Sequence, residues 1–99
     1  MTYRIVIDEL VLKKDFRKFG LEDQRKIIRA IRQKLTSRPK DYGEPLRGEL
    51  KGFWKLRVGQ FRVIYEVQED EVVVSIVVVG FRRDEEVYRA ALGRSYFRA

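Results

Sequence analysis

The chain has 99 residues, is 44% hydrophobic and 37% charged, and contains neither cysteine nor histidine. That length suits one domain with one modest core. The two absences exclude a disulfide framework, thiolate chemistry, and the commonest general base and metal ligand.

Twenty-two Lys and Arg stand against 15 Asp and Glu, a net charge of +7. Such an excess favours nucleic acid, an acidic protein or an anionic membrane as partner. The acidic residues are scattered and show no metal-ligand spacing, so neither metal nor cofactor is expected. The longest apolar run, Val72 to Val79, is strand-length and interrupted by Ser75, too short to span a membrane. The first residues lack the apolar stretch of a signal peptide. The expectation is a cytoplasmic protein with a single domain over residues 1–99.

In chain order, TYRIVI (residues 2–7) alternates and predicts a first strand. Asp8 is placed to cap a helix running to about Phe19, with Leu12, Phe16 and Phe19 on its inner side and Gly20 as its left-handed end. A second helix is predicted from about Leu21 to Leu35. Ile27, Ile31 and Leu35, with Ile28 beside them, form its core stripe. Arg25, Lys26, Arg29, Arg32 and Lys34 lie on its other side. They read as a solvated face, with RNA binding or docking of an acidic partner as further uses. Arg38-Pro39 stops this helix. Residues 39–52 carry both prolines together with Gly43, Gly48 and Gly52, and read as one long connection.

Three strands follow, at about Phe53 to Val58, Phe61 to Gln68 and Val72 to Val79. The third is apolar at nearly every position, as a central strand buried on both faces would be. Gly80 is expected to break it. Asp84 can cap a short helix to about Leu92, with Val87, Ala91 and Leu92 inward, and residues 93–99 read as a tail. The order β-α-α-β-β-β-α defines an α+β fold, a small, mostly antiparallel sheet with two N-terminal helices packed on one face.

The segment WKLRVGQFRVIY (54–65) reads as a hairpin about Gly59-Gln60. Pairing outward from the turn sets Arg57 opposite Arg62 and Lys55 opposite Ile64. The apolar set Trp54, Leu56, Val58, Phe61, Val63, Tyr65 and Val67 then faces the helices and resists a register slip. Like charges directly opposite one another are destabilising, so the Arg57–Arg62 pair calls for a ligand. With Arg82 and Arg83 just beyond the third strand, and Tyr88 near the start of the last helix, these residues are the parts of a phosphate-binding groove. Tyr88 and Phe53 can stack on unpaired bases. The competing reading is a charged, merely solvated sheet face.

LRG (46–48), WKLRVGQFRVIYEV (54–67) and VVVGFRRDEEVY (77–88) together resemble the RelE/ParE superfamily of bacterial toxins, across nearly the whole chain and in element order. The resemblance implies the RelE-like microbial RNase fold and the toxin of a type II toxin–antitoxin pair. It also implies a RelB-like antitoxin as partner, the toxin alone being a monomer and its complex a hetero-oligomer. RelE-like members cut messenger RNA in the ribosomal A site, whereas ParE-like members poison DNA gyrase. The RelE-type positions are largely filled. By resemblance, Lys55 matches a catalytic lysine, Arg62 a phosphate-binding arginine, Arg82 an arginine near the leaving group and Tyr88 the C-terminal tyrosine. Arg57 matches a basic family position, and Arg47 and Arg83 extend the RNA-binding set. Phe53 departs from the pattern, standing where RelE proteins carry a second lysine.

The implied function is a metal-free endoribonuclease acting on messenger RNA on the ribosome. The RNA 2′-OH attacks the phosphate, leaving a 2′,3′-cyclic phosphate and a 5′-OH. Arg62, helped by Arg57, takes the phosphate, Arg82 faces the leaving group, and either Tyr88 or Lys55 is the base. Free tyrosine and lysine titrate near ~10 and ~10.4. Surrounding cations favour phenolate and disfavour ammonium. A gyrase inhibitor and a non-catalytic binder of RNA or antitoxin are the alternatives.

Overall fold

The computed structural model describes residues 2–83 and 85–98, with side chains as far as Arg94. Its strands are β1 (Arg4–Ile7), β2 (Glu44–Pro45), β3 (Phe53–Val58), β4 (Phe61–Gln68) and β5 (Val73–Phe81). Its α-helices are α1 (Leu21–Leu35), α2 (Pro39–Tyr42) and α3 (Glu86–Arg98). The strands form one sheet in the order β1-β5-β4-β3-β2, in which only β1 and β5 pair in parallel. This is the α+β architecture expected, with β5 in the interior of the sheet.

The hairpin has the register read from its alternation. Val58 pairs with Phe61, Arg57 with Arg62, Leu56 with Val63, Lys55 with Ile64 and Trp54 with Tyr65. Gly59, at φ +56°, supplies the left-handed residue of the turn. Between the pairs Ile64–Val78 and Tyr65–Ile76 the β4–β5 register slips by one residue, leaving Val77 as a bulge. The bulge changes the side-chain alternation of β5. Val74, Ile76 and Val79 join the helix-side core, whereas Val77 and Val78 both join a second core. All residues from Val73 to Gly80 are buried, as a strand covered on both faces requires.

The helix-side core gathers Ile27, Ile31 and Leu35 of α1 with Leu56, Val58, Phe61, Val63 and Tyr65. The second core packs Val87 and Ala91 of α3 on Phe53, Ile64, Val77 and Val78. α1 has the bounds expected. The segment before it does not form a regular helix. Val11–Asp15 is a π-helical turn and Phe16–Lys18 a 3₁₀ turn. The wider π turn rotates the apolar stripe by one position. Val11, Asp15, Phe16 and Phe19 are therefore buried, and Leu12, expected inside, is 52% exposed. Asp8 does cap this segment, accepting the Leu10 N–H at 2.8 Å.

Four further expectations are corrected. Gly20 is the extended N-cap of α1 (φ −67°, ψ 165°), not a left-handed helix end. Residues 39–52 contain α2, the edge strand β2 and a 3₁₀ turn at Gly48–Leu50. Gly80 does not end β5 but lies within it, opposite Arg62. A Cβ there would sit 2.2 Å from Val87 Cγ2, so glycine is what lets α3 approach. Residues 93–98 continue α3 instead of forming a tail. The cap expected at Asp84 lies outside the described residues.

Candidate nucleic-acid site

Lys55, Arg57 and Arg62 lie on the side of the hairpin away from α1, as the register dictates. That face is not open throughout, because α3 covers the part around Ile64, Val77 and Val78. Arg57 and Arg62 occupy the remainder, toward the hairpin turn, and Lys55 pairs with the covered Ile64. The like-charge pairing of Arg57 with Arg62 is relieved by different partners. Arg57 Nη2 lies 3.4 Å from Glu44 Oε1. Arg62 Nη1 turns to the backbone and donates to the carbonyls of Phe61 (2.7 Å) and Gly59 (3.0 Å). Lys55, whose side chain is only 17% exposed, lies 3.8 Å from the other oxygen of Glu44.

Glu44 was missed from the sequence. It sits on β2, opposite Lys55, and a strand of two residues carries no periodicity to detect. Its placement is nevertheless built in. Tyr65 passes beneath Gly43 and donates its hydroxyl to the Pro39 carbonyl at 2.5 Å. A Cβ on Gly43 would lie 1.8 Å from that hydroxyl oxygen. Glycine here lets the chain cross the phenol and bring the next residue, Glu44, onto the edge of β3. Burial raises the Tyr65 phenol above the ordinary tyrosine pKa, so this anchor is the neutral, donating form.

Arg82 and Arg83 are exposed in the turn after β5. The Arg82 N–H donates to the Gln60 carbonyl at 2.7 Å, tying this turn to the hairpin tip. Arg82 and Arg83 line, with Gln60 and Phe81, a hollow of about 400 Å³. Tyr88 is half-buried on α3 against the second core. Arg47 is exposed immediately before the 3₁₀ turn. Phe53 does not suit the stacking role expected of it. It is 6% exposed and packs within the second core, because its place on β3 points it under α3. The structure thus groups Lys55, Arg57 and Arg62, links Arg82 to their turn, and withdraws Phe53.

A sheet face that presents clustered cations bridged by one carboxylate has the chemistry to attract a phosphodiester. It matches a family of small toxins. The family model for the ParE toxin of the parDE type II toxin–antitoxin system matches residues 9–86, and the chain belongs to this family.

Among individual relatives, the chain is 34% identical over 95 residues to the mRNA interferase toxin RelE of Escherichia coli K12, covering 95% of this chain and 98% of RelE. Its structure resembles the isolated Escherichia coli RelE toxin with a TM-score of 0.66 at 28% identity, covering 94% and 98% of the two chains. It resembles a chain of the toxin–antitoxin complex RelBE2 from Mycobacterium tuberculosis with a TM-score of 0.77 at 25% identity, covering 85% and 95%. No helix among the described residues is long and apolar enough to cross a membrane.

Proposed function

We propose that this chain is the toxin of a type II toxin–antitoxin pair, held inactive by a RelB-like antitoxin, and that it cleaves messenger RNA on the ribosome in the cytoplasm. The observation that carries the reading is the joint placement of Lys55, Arg57 and Arg62 on one sheet face. It is supported by near full-length similarity to a protein named an mRNA interferase.

Metal-free cleavage needs a proton acceptor for the 2′-OH, cations for the charge that grows on the phosphate, and stabilisation of the departing 5′-oxygen. Arg62 and Arg57 hold the phosphate oxygens, and Arg82 faces the leaving 5′-oxygen. Glu44 joins Tyr88 and Lys55 as a candidate base. A carboxylate is ionised at neutral pH, where free tyrosine and lysine are protonated. An arriving phosphate competes with Glu44 for Lys55 and Arg57, which frees the carboxylate to accept the 2′-OH proton. The 2′-oxygen then attacks phosphorus, the bond from phosphorus to the 5′-oxygen breaks, that oxygen takes a proton from water, and the products are a 2′,3′-cyclic phosphate and a 5′-OH. Tyr88 stacks on a base or shares the proton transfer. So few acid–base groups make the rate depend on RNA held in an attack-ready shape, which is what a ribosome provides.

The family description bears the name of ParE, and this favours gyrase inhibition as the second reading. Cleavage of ribosome-bound messenger by the wild type separates the two, and Arg82→Ala and Tyr88→Phe test the residues assigned to it. The ribonuclease reading expects losses of roughly 10²–10³-fold for Arg82→Ala and a clear loss for Tyr88→Phe. Full activity in both variants overturns the assignment.

A further inference from the structure

Asp15 and Arg94 are 4% and 8% exposed, and they form a bidentate ion pair between segments 79 residues apart. Arg94 Nη1 reaches Asp15 Oδ2 at 2.9 Å, and Nη2 reaches Oδ1 at 2.8 Å. Each partner also binds β5. Asp15 Oδ2 accepts the Val79 N–H at 2.9 Å, and Arg94 Nη1 donates to the Val77 carbonyl at 2.7 Å.

These two backbone groups lie where the sheet runs out of a neighbour. β1 pairs with β5 only as far as Ile7–Ile76, and the Asp8 N–H takes the Ile76 carbonyl. Beyond that point the ion pair stands in for the missing strand and satisfies the edge of β5 beside the Val77 bulge. The π turn at Val11–Asp15 is what aims Asp15 inward.

The pair also fastens α3. Val87, Ala91 and Arg94 share one face of the helix at spacings of four and three. Val87 is seated against Gly80, Ala91 is fully buried, and Arg94 grips the β5 edge. Tyr88 lies next to Val87 and packs, half-buried, against the second core, to which Phe53 and Ile64 also belong. Replacing a buried ion pair by apolar groups is often neutral or stabilising, so raw stability is a poor account of this one. A two-pronged guanidinium–carboxylate contact fixes direction instead.

We propose that Asp15 and Arg94 are positioning residues: their ion pair sets the roll of α3 about its axis and thereby holds the Tyr88 phenol at the RNA face. The inference rests on the ribonuclease reading above. Side-chain tips lie about 5–6 Å from a helix axis, so a roll of roughly 20° moves the phenol by about 2 Å. A misplacement of ~1 Å can cost on the order of 10²-fold in rate.

The test uses the full chain with Arg94→Lys, which keeps the charge but loses the fork, alone and combined with Tyr88→Phe. The readouts are single-turnover cleavage of ribosome-bound messenger at saturating toxin, apparent affinity for the ribosome, and amide exchange along α3 and the sheet. Expected for Arg94→Lys is a fall in saturated rate of roughly 10–100-fold, with unchanged affinity. Amide protection should drop in α3 and hold in β3–β4. In the Tyr88→Phe background the same change should have little further effect.

Equal losses in both backgrounds, or a rate loss matched by lost protection throughout the sheet, would overturn the proposal. Should Arg94→Lys not fold, Asp15→Asn, which keeps shape and removes charge, faces the same criteria. Wild-type cleavage by Tyr88→Phe alone overturns the part given to Tyr88 by the ribonuclease reading. Normal α3 exchange in Arg94→Lys overturns the fastening itself, so the two failures are distinguishable.

Discussion

Glu44 and Lys55 face each other across the β2–β3 ladder with their charged groups 3.8 Å apart, and the same carboxylate reaches Arg57 at 3.4 Å. The proposed phosphate site thus carries its own anion. Two roles fit that placement. Glu44 can be a proton acceptor for the reaction, or a counter-charge that keeps the cations oriented until RNA displaces it.

Glu44→Gln separates these roles. As the base, Glu44 accounts for roughly 10²–10⁴-fold in the saturated cleavage rate, and the variant loses that factor while ribosome affinity holds or rises. Affinity does not fall because a negative charge leaves a phosphate site. An unchanged saturated rate contradicts the base assignment and leaves Glu44 as a counter-charge.

Tyr65 anchors the segment that delivers Glu44, and its ionisation has a definite sign. The folded phenol is neutral and its pKa is raised by burial. Tyrosine in the unfolded chain ionises near ~10. The stabilisation is therefore complete below that pH and declines above it, because the unfolded state releases the proton first. Urea midpoints should fall more steeply above pH ~10 in the wild type than in Tyr65→Phe. At neutral pH, Tyr65→Phe should cost about 1–2 kcal/mol through the lost hydrogen bond and the stranded Pro39 carbonyl. Equal alkaline slopes in the two proteins contradict this account.

These consequences depend on parts of the molecule that were unequally legible in the sequence. The hairpin register could be read outright, because seven apolar residues at period two leave no alternative that keeps them buried. α1 was equally clear from Ile27, Ile31 and Leu35. The helix before it was misread: a π turn breaks the regular period, exposing Leu12 and burying Asp15, and Gly20 begins α1 instead of ending that helix. Gly80 looked like a strand breaker because sequence shows a glycine but not the helix seated against it.

The cationic residues of the candidate site were legible for a related reason. They share strands whose alternation is strong. Glu44 lies on two residues of edge strand, and Asp15 and Arg94 meet across 79 residues. No local pattern encodes either relationship. Phe53 shows the converse limit. Its position on β3 was right, but its burial depends on where α3 lies across the sheet, which a strand pattern does not encode.

The central claim is that this sheet face cuts messenger RNA on the ribosome. Its most direct test is to induce the chain in bacteria, in wild-type form and as Arg62→Ala, and to map new messenger 5′ ends against ribosome position. The account predicts 5′-OH ends at a fixed place within codons, in the reading frame, that depend on Arg62. Intact messenger accompanied by inhibited DNA supercoiling would contradict it and move the protein to the gyrase-directed branch of its family.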